Sequence, residues 1–462
     1  MFSSIKKIHF TGIGGIGMSG IAEILMNEGF KISGSDKSLN EVTDRLRSLG
    51  AEIHEGHRAE NIGKDIDVLV YSSAVPLDNP EIVECKRRNI PIIRRAEMLA
   101  EVMRLKYGVG IAGTHGKTTT TSMISLIMIE GALDPTVIVG GKLSGLGGTN
   151  ARLGKGEFIV VEADEFDRSF LSLTPTIAVL TTLETDHLDC YRDLEDIKGA
   201  FVQFASKVPF YGFVVLCLDE PALQDIMPLL NNKRILTYGF NPQADIQAVD
   251  IQHNEGTTRF TLIRNGKELG QVEIQLPGKH NVENALAALT VGIELGISFD
   301  VVKRGIQKFT GVYRRWEKKG EANGIVVFDD YAHHPTECKA TLAGAKAGWR
   351  KRVVCVFQPH LFSRTRDFYE EFGKAFLLSD VLVVTDVYPA REEPIQGVTG
   401  ELITDAAKSF GHKEVYYVSQ KKDLPQFLMK IARNGDMIIT MGAGDITKYG
   451  EEFLKLLTSG RK

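Results

Sequence analysis

The chain has 462 residues, room for about three domains of roughly 150 residues each. A hydrophobic share of 43% with 25% charged residues describes a globular protein with sizeable cores. A formal net charge of −4 gives no sign of a general nucleic-acid binder, so an anionic ligand must be gripped by a local cationic pocket.

Five cysteines (Cys85, Cys190, Cys217, Cys338 and Cys355) form no CxxC pair, which predicts a reducing compartment and no structural zinc. The start, MFSSIKKIHFTGIGG, lacks the long apolar core of a signal peptide and reads as a first strand. No apolar run approaches the ~18 residues of a membrane span. The expectation is a cytoplasmic protein with no membrane insertion.

Taken in chain order, residues 1–106 alternate short strands (Ile5–Phe10, Lys31–Ser33, Val68–Tyr71, Pro91–Ile93) with helical segments, the pattern of a parallel sheet built from βαβ units. Directly after the first strand, Gly12, Gly14 and Gly17 match G-x-G-x-x-G, with Gly15 between them. Asp36 follows at the end of the second strand. This fingerprint puts a diphosphate on a helix N-terminus and a carboxylate on a ribose hydroxyl. A nucleotide sugar offers that chemistry as well as NAD does. Ser72 and Ser73 end another strand of the same sheet and are candidates for the same ligand, or an ordinary turn.

Residues 107–310 open with the most informative stretch of the chain, Gly113-Thr-His-Gly116-Lys117-Thr118. It follows the apolar run Tyr107–Ala112 and precedes a segment with helical spacing (Met123, Ile124, Ile127, Met128). Strand, glycine turn and helix start present free backbone N–H groups to phosphates. Lys117 can reach the outer phosphates, and the Thr118 hydroxyl can hold Mg²⁺. The loop falls short of the full Walker pattern, because Ile111 stands where the first glycine would be. Glu162 ends the strand Phe158–Glu162, at a sheet edge where a magnesium ligand is needed. Asp164 and Glu165 read as structural. His187 follows the strand Ile177–Leu183, although imidazole matches hard Mg²⁺ poorly. Beyond the strand Phe213–Leu218, Asn265-Gly266 joins two alternating runs, predicting an antiparallel hairpin. His280, Asn281 and Asn284 open a helix that stops at Gly296. The two asparagines share a face and could read a base edge, while capping alone would explain one of them.

Residues 311–462 begin with Tyr313-Arg314-Arg315-Trp316, a linker whose arginines are either solvated or poised to neutralise a transferring phosphoryl group. Strands are predicted at Ile325–Phe328, Val353–Phe357, Val381–Thr385, Val415–Val418 and Met437–Met441. The first is followed by Asp329-Asp330-Tyr331-Ala332-His333-His334, too dense in acids and imidazoles to be surface filler and without zinc spacing. His360, Arg364 and Arg366 follow the second, cations suited to a carboxylate or phosphate. Gly442-Ala443-Gly444-Asp445 reads as a structural turn.

Together the strings HFTGIGGIGMSG, GTHGKTTT, VVEADEFDRSFL, LPGKHNVENALAA, GVYRRWE, DDYAHHPTE, FQPHLFSRTRD and TDVYPARE, in this order, resemble the Mur ligase family over essentially the whole chain. The glycine fingerprint, YAHHPTE and QPHLFSRTRD are narrower. They are similar to the members that join L-alanine to the carboxylate of UDP-N-acetylmuramate with ATP, in peptidoglycan precursor synthesis.

The resemblance implies an α/β chain of three domains. These are a Rossmann-like UDP-sugar domain (1–106), a P-loop-type central ATPase domain with a mainly parallel sheet and a small antiparallel part (107–310), and a Rossmann-like amino-acid domain (311–462). It places Gly12, Gly14, Gly15, Gly17, Met18, Ser19, Asp36, Ser72 and Ser73 at the UDP-sugar. Gly113, Thr114, His115, Gly116, Lys117, Thr118, Thr119, Asn281 and Asn284 fall to ATP. Thr118, Glu162 and His187 fall to two Mg²⁺ ions, with Mn²⁺ as an alternative. Lys117, Arg314, Asp330, His333 and Arg364 are the implied catalytic groups, with Asp330 or His333 taking the alanine proton. Tyr331, His360, Arg364 and Arg366 are implied to hold the amino acid. The sequence leaves monomer or homodimer open. An NAD-dependent oxidoreductase, the competing class, leaves GTHGKTTT, Glu162 and the arginine pair without a role.

Overall fold

The computed structural model describes residues 5–72, 74–143, 149–166, 168–185, 190–390 and 392–459. Ser73 and His187 lie outside the described residues. Three sheets follow one another along the chain.

The first sheet has strands β1 (Lys7–Thr11), β2 (Lys31–Asp36), β3 (Glu52–Glu55), β4 (Val68–Tyr71) and β5 (Ile92–Arg94), with helices α1 (Ile16–Asn27), α2 (Glu41–Ser48), α3 (Pro80–Arg87) and α4 (Arg95–Met103). The strand order is β3-β2-β1-β4-β5 and every pairing is parallel. The order reverses between β1 and β4, so the crevice where such sheets bind ligands lies past Thr11 and Tyr71. The glycine loop occupies the first of those ends and Ser72 the second. The four-residue β3 has only Ile53 buried, which is why its sequence carries no strand signal.

The second sheet comprises β6 (Tyr107–Ala112), β7 (Thr136–Leu143), β8 (Thr149–Arg152), β9 (Phe158–Glu162), β10 (Ile177–Leu180), β11 (Phe213–Cys217), β12 (Ile235–Gly239), β13 (Ile246–Asn254), β14 (Thr257–Arg264) and β15 (Lys267–Ile274). Its helices are α5 (Lys117–Glu130), α6 (Leu194–Ala205), α7 (Pro221–Ile226), α8 (Lys279–Glu294) and α9 (Phe299–Gln307). The order is β15-β14-β13-β12-β11-β10-β6-β9-β7-β8. β6 lies between β9 and β10, parallel to both, with Ile111 opposite Glu162 and Leu180 opposite Ala112. Whatever follows β9 and β10 is therefore delivered to the flanks of the phosphate loop. The β14–β15 turn has Asn265 and Gly266 both at positive φ (47° and 75°), the two-residue hairpin geometry read from the sequence.

The third sheet contains β16 (Glu317–Ala322), β17 (Ile325–Asp330), β18 (Val353–Phe357), β19 (Val381–Val384), β20 (Val415–Tyr417) and β21 (Met437–Met441). Helices α10 (Pro335–Gly348), α11 (Phe362–Ala375), α12 (Glu401–Ser409), α13 (Leu424–Ile431) and α14 (Ile446–Ser459) connect them. The order is β16-β17-β21-β18-β19-β20, parallel except for the β16–β17 edge pair. Both faces are buried. Phe328, Cys355, Phe357, Leu382 and Ile439 line one core, and Val327, Val354, Val356, Val383 and Ile438 the other. β16 (EKKGEA) has no apolar alternation and forms because it completes the edge beside β17.

The chain divides into two compact units. Met1–Val249, Thr261–Gln271 and Glu283–Phe309 form one, and Asp250–Phe260, Val272–Val282 and Thr310–Lys462 the other. All five cysteines are free thiols, and no described helix is long and apolar enough to cross a membrane.

Candidate active site

In the first unit, Gly12 turns the chain off β1 at φ 83°, and its N–H and that of Ile13 donate to the Ser35 carbonyl at 2.8 and 3.0 Å. Gly15, in extended conformation, then starts α1, with the Met18 and Ser19 N–H groups returning to its carbonyl. A Cβ on Gly12 would sit 3.3 Å from Ser72 Oγ, and one on Gly17 2.7 Å from Arg95, so the loop and Ser72 share one crowded turn. Two expected ligand-facing side chains have partners within the protein here. Asp36 Oδ2 accepts the Gly14 N–H at 2.8 Å, so this oxygen braces the loop itself. Met18 is 1% exposed, and its side chain belongs to the core rather than to a ligand surface.

The phosphate loop is built from three strand ends. Gly113 leaves β6 at φ 151°, and Gly116, at φ 79°, begins α5. Two threonines just past β10 hold the turn. Thr181 Oγ1 donates to the His115 carbonyl at 2.5 Å, His115 N–H to Thr182 Oγ1 at 2.8 Å, and Thr114 N–H to the Thr182 carbonyl at 3.1 Å. Thr114 Oγ1 accepts the Glu184 N–H at 2.9 Å. Thr118 Oγ1 donates to Glu162 Oε1 at 2.8 Å, and Glu162 Oε2 accepts the Gly140 N–H at 2.7 Å. A hydroxyl beside a carboxylate is an all-oxygen pair, the donor chemistry Mg²⁺ prefers, so these residues fit the ion. Thr119 is buried in the first turn of α5.

Lys117 Nζ donates to the Gly113 and Thr114 carbonyls (2.6 and 3.2 Å) and pairs with Glu165 at 2.8 Å. Burial works against the ammonium charge, but Glu165, Asp164 and Glu162 outweigh it and raise the lysine's pKa. Glu165 is the residue the sequence reading missed. Assigned a structural role, it is instead the buried counter-ion of the phosphate-loop lysine, and burial pushes its carboxyl up. Its only sequence signal was its place three residues after Glu162.

Asn284 lies against the phosphate loop. Its Oδ1 accepts Thr120 Oγ1 at 3.1 Å and would be 2.3 Å from a Cβ on Gly116. Asn281 corrects the expectation of a matched pair. The helix begins at Lys279, and Asn281 Nδ2 donates to the Pro277 carbonyl at 2.7 Å, so its amide fastens its own turn rather than a base.

In the second unit, the end of β17 gathers aromatic and imidazole rings. His333 meets Tyr331 and His360 edge-on at centroid distances of 5.3 and 5.8 Å, and His360 stacks on Tyr388 at 5.9 Å. His333 Nδ1 lies 2.9 Å from the Tyr331 carbonyl and 3.2 Å from Glu337 Oε2, both acceptors. Nδ1 therefore carries the proton, and Nε2 is the accepting nitrogen. Burial lowers this imidazole's pKa to about 4, with the Arg364 charge adding to the effect, so it is neutral near pH 7. Arg364 itself is 8% exposed, in the first turn of α11.

Three expectations fail in this unit for identifiable reasons. Arg314 is no mobile linker cation. Nε pairs with buried Asp329 at 2.8 Å, its other nitrogens donate to the Gly442 and Gly444 carbonyls at 2.6 and 2.7 Å, and its guanidinium lies 5.2 Å from the Tyr331 ring centre. It clamps β17 to the turn after β21. Asp330 spends both oxygens on backbone, accepting Trp316 N–H at 2.9 Å and Ala332 N–H at 2.8 Å. It holds the Tyr331–His333 segment in place. Arg366 is exposed and pairs with its neighbour Asp367 at 2.7 Å. Two residues along a helix turn a side chain by about 200°, so it cannot share a face with Arg364.

Three family models match the chain in succession: Mur ligase family, catalytic domain, over residues 7–107; Mur ligase middle domain over 111–292; and Mur ligase, glutamate ligase domain, over 314–444. The chain is 53% identical over 457 residues to a UDP-N-acetylmuramate–L-alanine ligase of Geotalea daltonii, covering 99% of each chain. It is 53% identical over 464 residues to that of Geobacter sulfurreducens, covering 100% of both. Among solved structures, the UDP-N-acetylmuramate–alanine ligase of Thermotoga maritima superposes with a TM-score of 0.81 at 31% identity, over 98% of this chain and 100% of that one. A murein peptide ligase of Psychrobacter arcticus shares the fold, with a TM-score of 0.69 at 24% identity over 98% of each chain. Matched from end to end in sequence and in three-domain architecture, this chain belongs to the Mur ligase family.

Proposed function

We propose that the protein joins L-alanine to the carboxylate of UDP-N-acetylmuramate, converting ATP to ADP and phosphate, as a step of peptidoglycan precursor synthesis in the cytoplasm. The observation that carries this reading is the end-to-end likeness to relatives named for that reaction. The site chemistry supports it independently. One unit holds a glycine loop suited to a diphosphate and a second loop in which Lys117, Thr118 and Glu162 suit a triphosphate and its metal.

A carboxylate does not acylate an amine, because oxide is a poor leaving group. In the proposed sequence a carboxylate oxygen of the muramate attacks the γ-phosphorus, and the bond to the β–γ bridging oxygen breaks, releasing ADP. The alanine amine then attacks the acyl carbon. A tetrahedral intermediate expels phosphate, which carries away the original carboxylate oxygen. Lys117 offsets charge on the transferring phosphoryl group. Thr118 and Glu162 are the residues that would hold Mg²⁺, with His187 proposed beside a second ion. Bound Mg²⁺ would neutralise phosphate charge. His333 Nε2 accepts the amine proton, and Arg364 and His360 are assigned to the amino-acid carboxylate.

Two pH-linked results follow. Burial raises the Asp330 pKa to about 6, so below that pH it takes up a proton and loosens its hold on the Ala332 and Trp316 amides. The kcat/KM for alanine should fall as pH drops through about 6, and Asp330→Asn should flatten that limb on a lower plateau. His333→Gln should lower kcat/KM for alanine by roughly 10²- to 10³-fold, the range of a lost general base. ADP release with UDP-N-acetylmuramate tests the reading itself. Turnover is expected with L-alanine and not with a tripeptide; the reverse preference would assign the chain to a tripeptide-adding ligase.

A further inference from the structure

Glu81 is a fully buried carboxylate in the first turn of α3, lying under the glycine loop and outside every role given above. Oε2 accepts the Thr11 hydroxyl at 2.7 Å, the Ser35 hydroxyl at 2.7 Å and His9 Nε2 at 3.3 Å. Oε1 accepts Asn61 Nδ2 at 2.6 Å and the Arg58 N–H at 3.4 Å. Ser35 has one hydroxyl proton and gives it to Glu81, so His57 Nδ1, 2.8 Å from Ser35 Oγ, must donate to that oxygen. His9 donates from Nε2 to the carboxylate, and its Nδ1 lies 3.0 Å from Ser33 Oγ. Burial alone would raise the carboxyl's pKa. His9, with Asn61 and Ser35, outweighs it and holds the value at about 2, so Glu81 stays charged under the loop.

The two hydroxyls matter because of where they stand. Thr11 is the last residue of β1, immediately before Gly12. Ser35 is the penultimate residue of β2, and its carbonyl accepts the Gly12 and Ile13 N–H groups. The next residue, Asp36, holds the Gly14 N–H. One carboxylate thus fixes both strand ends from which the loop's hydrogen bonds hang, and it ties them to α3 and to the turn bearing Arg58 and Asn61. An apolar residue would fill this space without the cost of burying a charge. A charge collecting five donors instead sets the relative position of β1 and β2 to within a hydrogen bond's tolerance.

We propose that Glu81 is a positioning residue for the nucleotide-sugar site, holding the Gly12–Gly17 loop in the shape that receives the diphosphate. The proposal rests on the function proposed above. Titration calorimetry of UDP-N-acetylmuramate, and separately of ATP, into the full-length protein tests it. Loss of a charge-assisted hydrogen bond between the loop and the diphosphate costs on the order of 100-fold in affinity. Glu81→Ala should therefore weaken UDP-N-acetylmuramate by roughly that factor. Glu81→Gln, which keeps an accepting oxygen, should recover about tenfold of it, and ATP affinity should stay within about twofold of wild type in both. A merely structural role would lower the melting temperature and leave the affinity for UDP-N-acetylmuramate unchanged, and that result would overturn the proposal. If Glu81→Ala does not fold, the Thr11→Val, Ser35→Ala double variant decides: weakened UDP-N-acetylmuramate binding supports the proposal and wild-type binding refutes it. Wild-type protein that fails to bind UDP-N-acetylmuramate would overturn the functional reading and this one with it. Binding by wild type with unchanged variants would overturn this one alone.

Discussion

Lys117→Ala should lower alanine-dependent phosphate release by at least about 10³-fold, the scale on which a cation over a transferring phosphoryl group acts. UDP-N-acetylmuramate affinity should remain within a few-fold of wild type. The lysine's three oxygen partners, the Gly113 and Thr114 carbonyls and Glu165, all belong to the phosphate loop and its flank, none to the glycine loop. Removing the ammonium also leaves Glu165 buried without its counter-ion, which costs several kcal/mol unless the acid takes up a proton. Glu165 already has its carboxyl pushed up by burial, so it can protonate and the variant should fold. Phosphate-release kinetics and calorimetry on the same preparation check both halves. Loss of UDP-N-acetylmuramate binding together with turnover would contradict the division into two anion sites.

Gly116→Ala should raise the ATP KM by roughly 100-fold, for two separable reasons. Gly116 starts α5 at φ 79°, a region where a Cβ costs about 1 kcal/mol. The new methyl would also lie 2.3 Å from Asn284 Oδ1, which is hydrogen-bonded to Thr120, and Asn284 is buried, so it has little room to yield. Overpacking of this kind costs about 1–3 kcal/mol, which with the backbone term gives about 2–4 kcal/mol. Pairing Gly116→Ala with Asn284→Ala should relieve the clash and not the backbone strain. Relative to Asn284→Ala alone, the added glycine change should then cost only about tenfold. A double variant as impaired as simple addition of the two effects would show that the methyl and the amide do not meet.

The features legible in the sequence are those set by local backbone chemistry. Gly12, Gly113 and Gly116 take positive φ where the motifs place turns, and Asn265-Gly266 makes the expected hairpin. Strands Val68–Tyr71, Phe158–Glu162, Val353–Phe357 and Met437–Met441 have the bounds their apolar runs suggest. Strands β3 and β16 escaped because a charged edge strand is made by its neighbour, not by its own pattern. At the candidate sites, residue type identified which side chains carry chemistry but not what each one faces. Asp36, Arg314 and Asp330 are polar groups at strand ends, as any ligand-binding residue there would be. Each instead satisfies backbone amides or carbonyls close by, a demand that arises only once the strands are assembled. Glu165 and Glu81 escaped for the converse reason. Nothing in a lone acidic residue shows that folding will bury it among donors from segments tens of residues away.

Phosphorylation of the sugar's acid group before alanine attacks would send one carboxylate oxygen out with the phosphate. UDP-N-acetylmuramate labelled with ¹⁸O in the lactyl carboxylate, turned over with ATP and L-alanine, tests this through the mass of the phosphate released. Phosphate carrying one carboxylate oxygen per turnover is predicted. Unlabelled phosphate accompanying formation of the alanyl product would contradict that order of events.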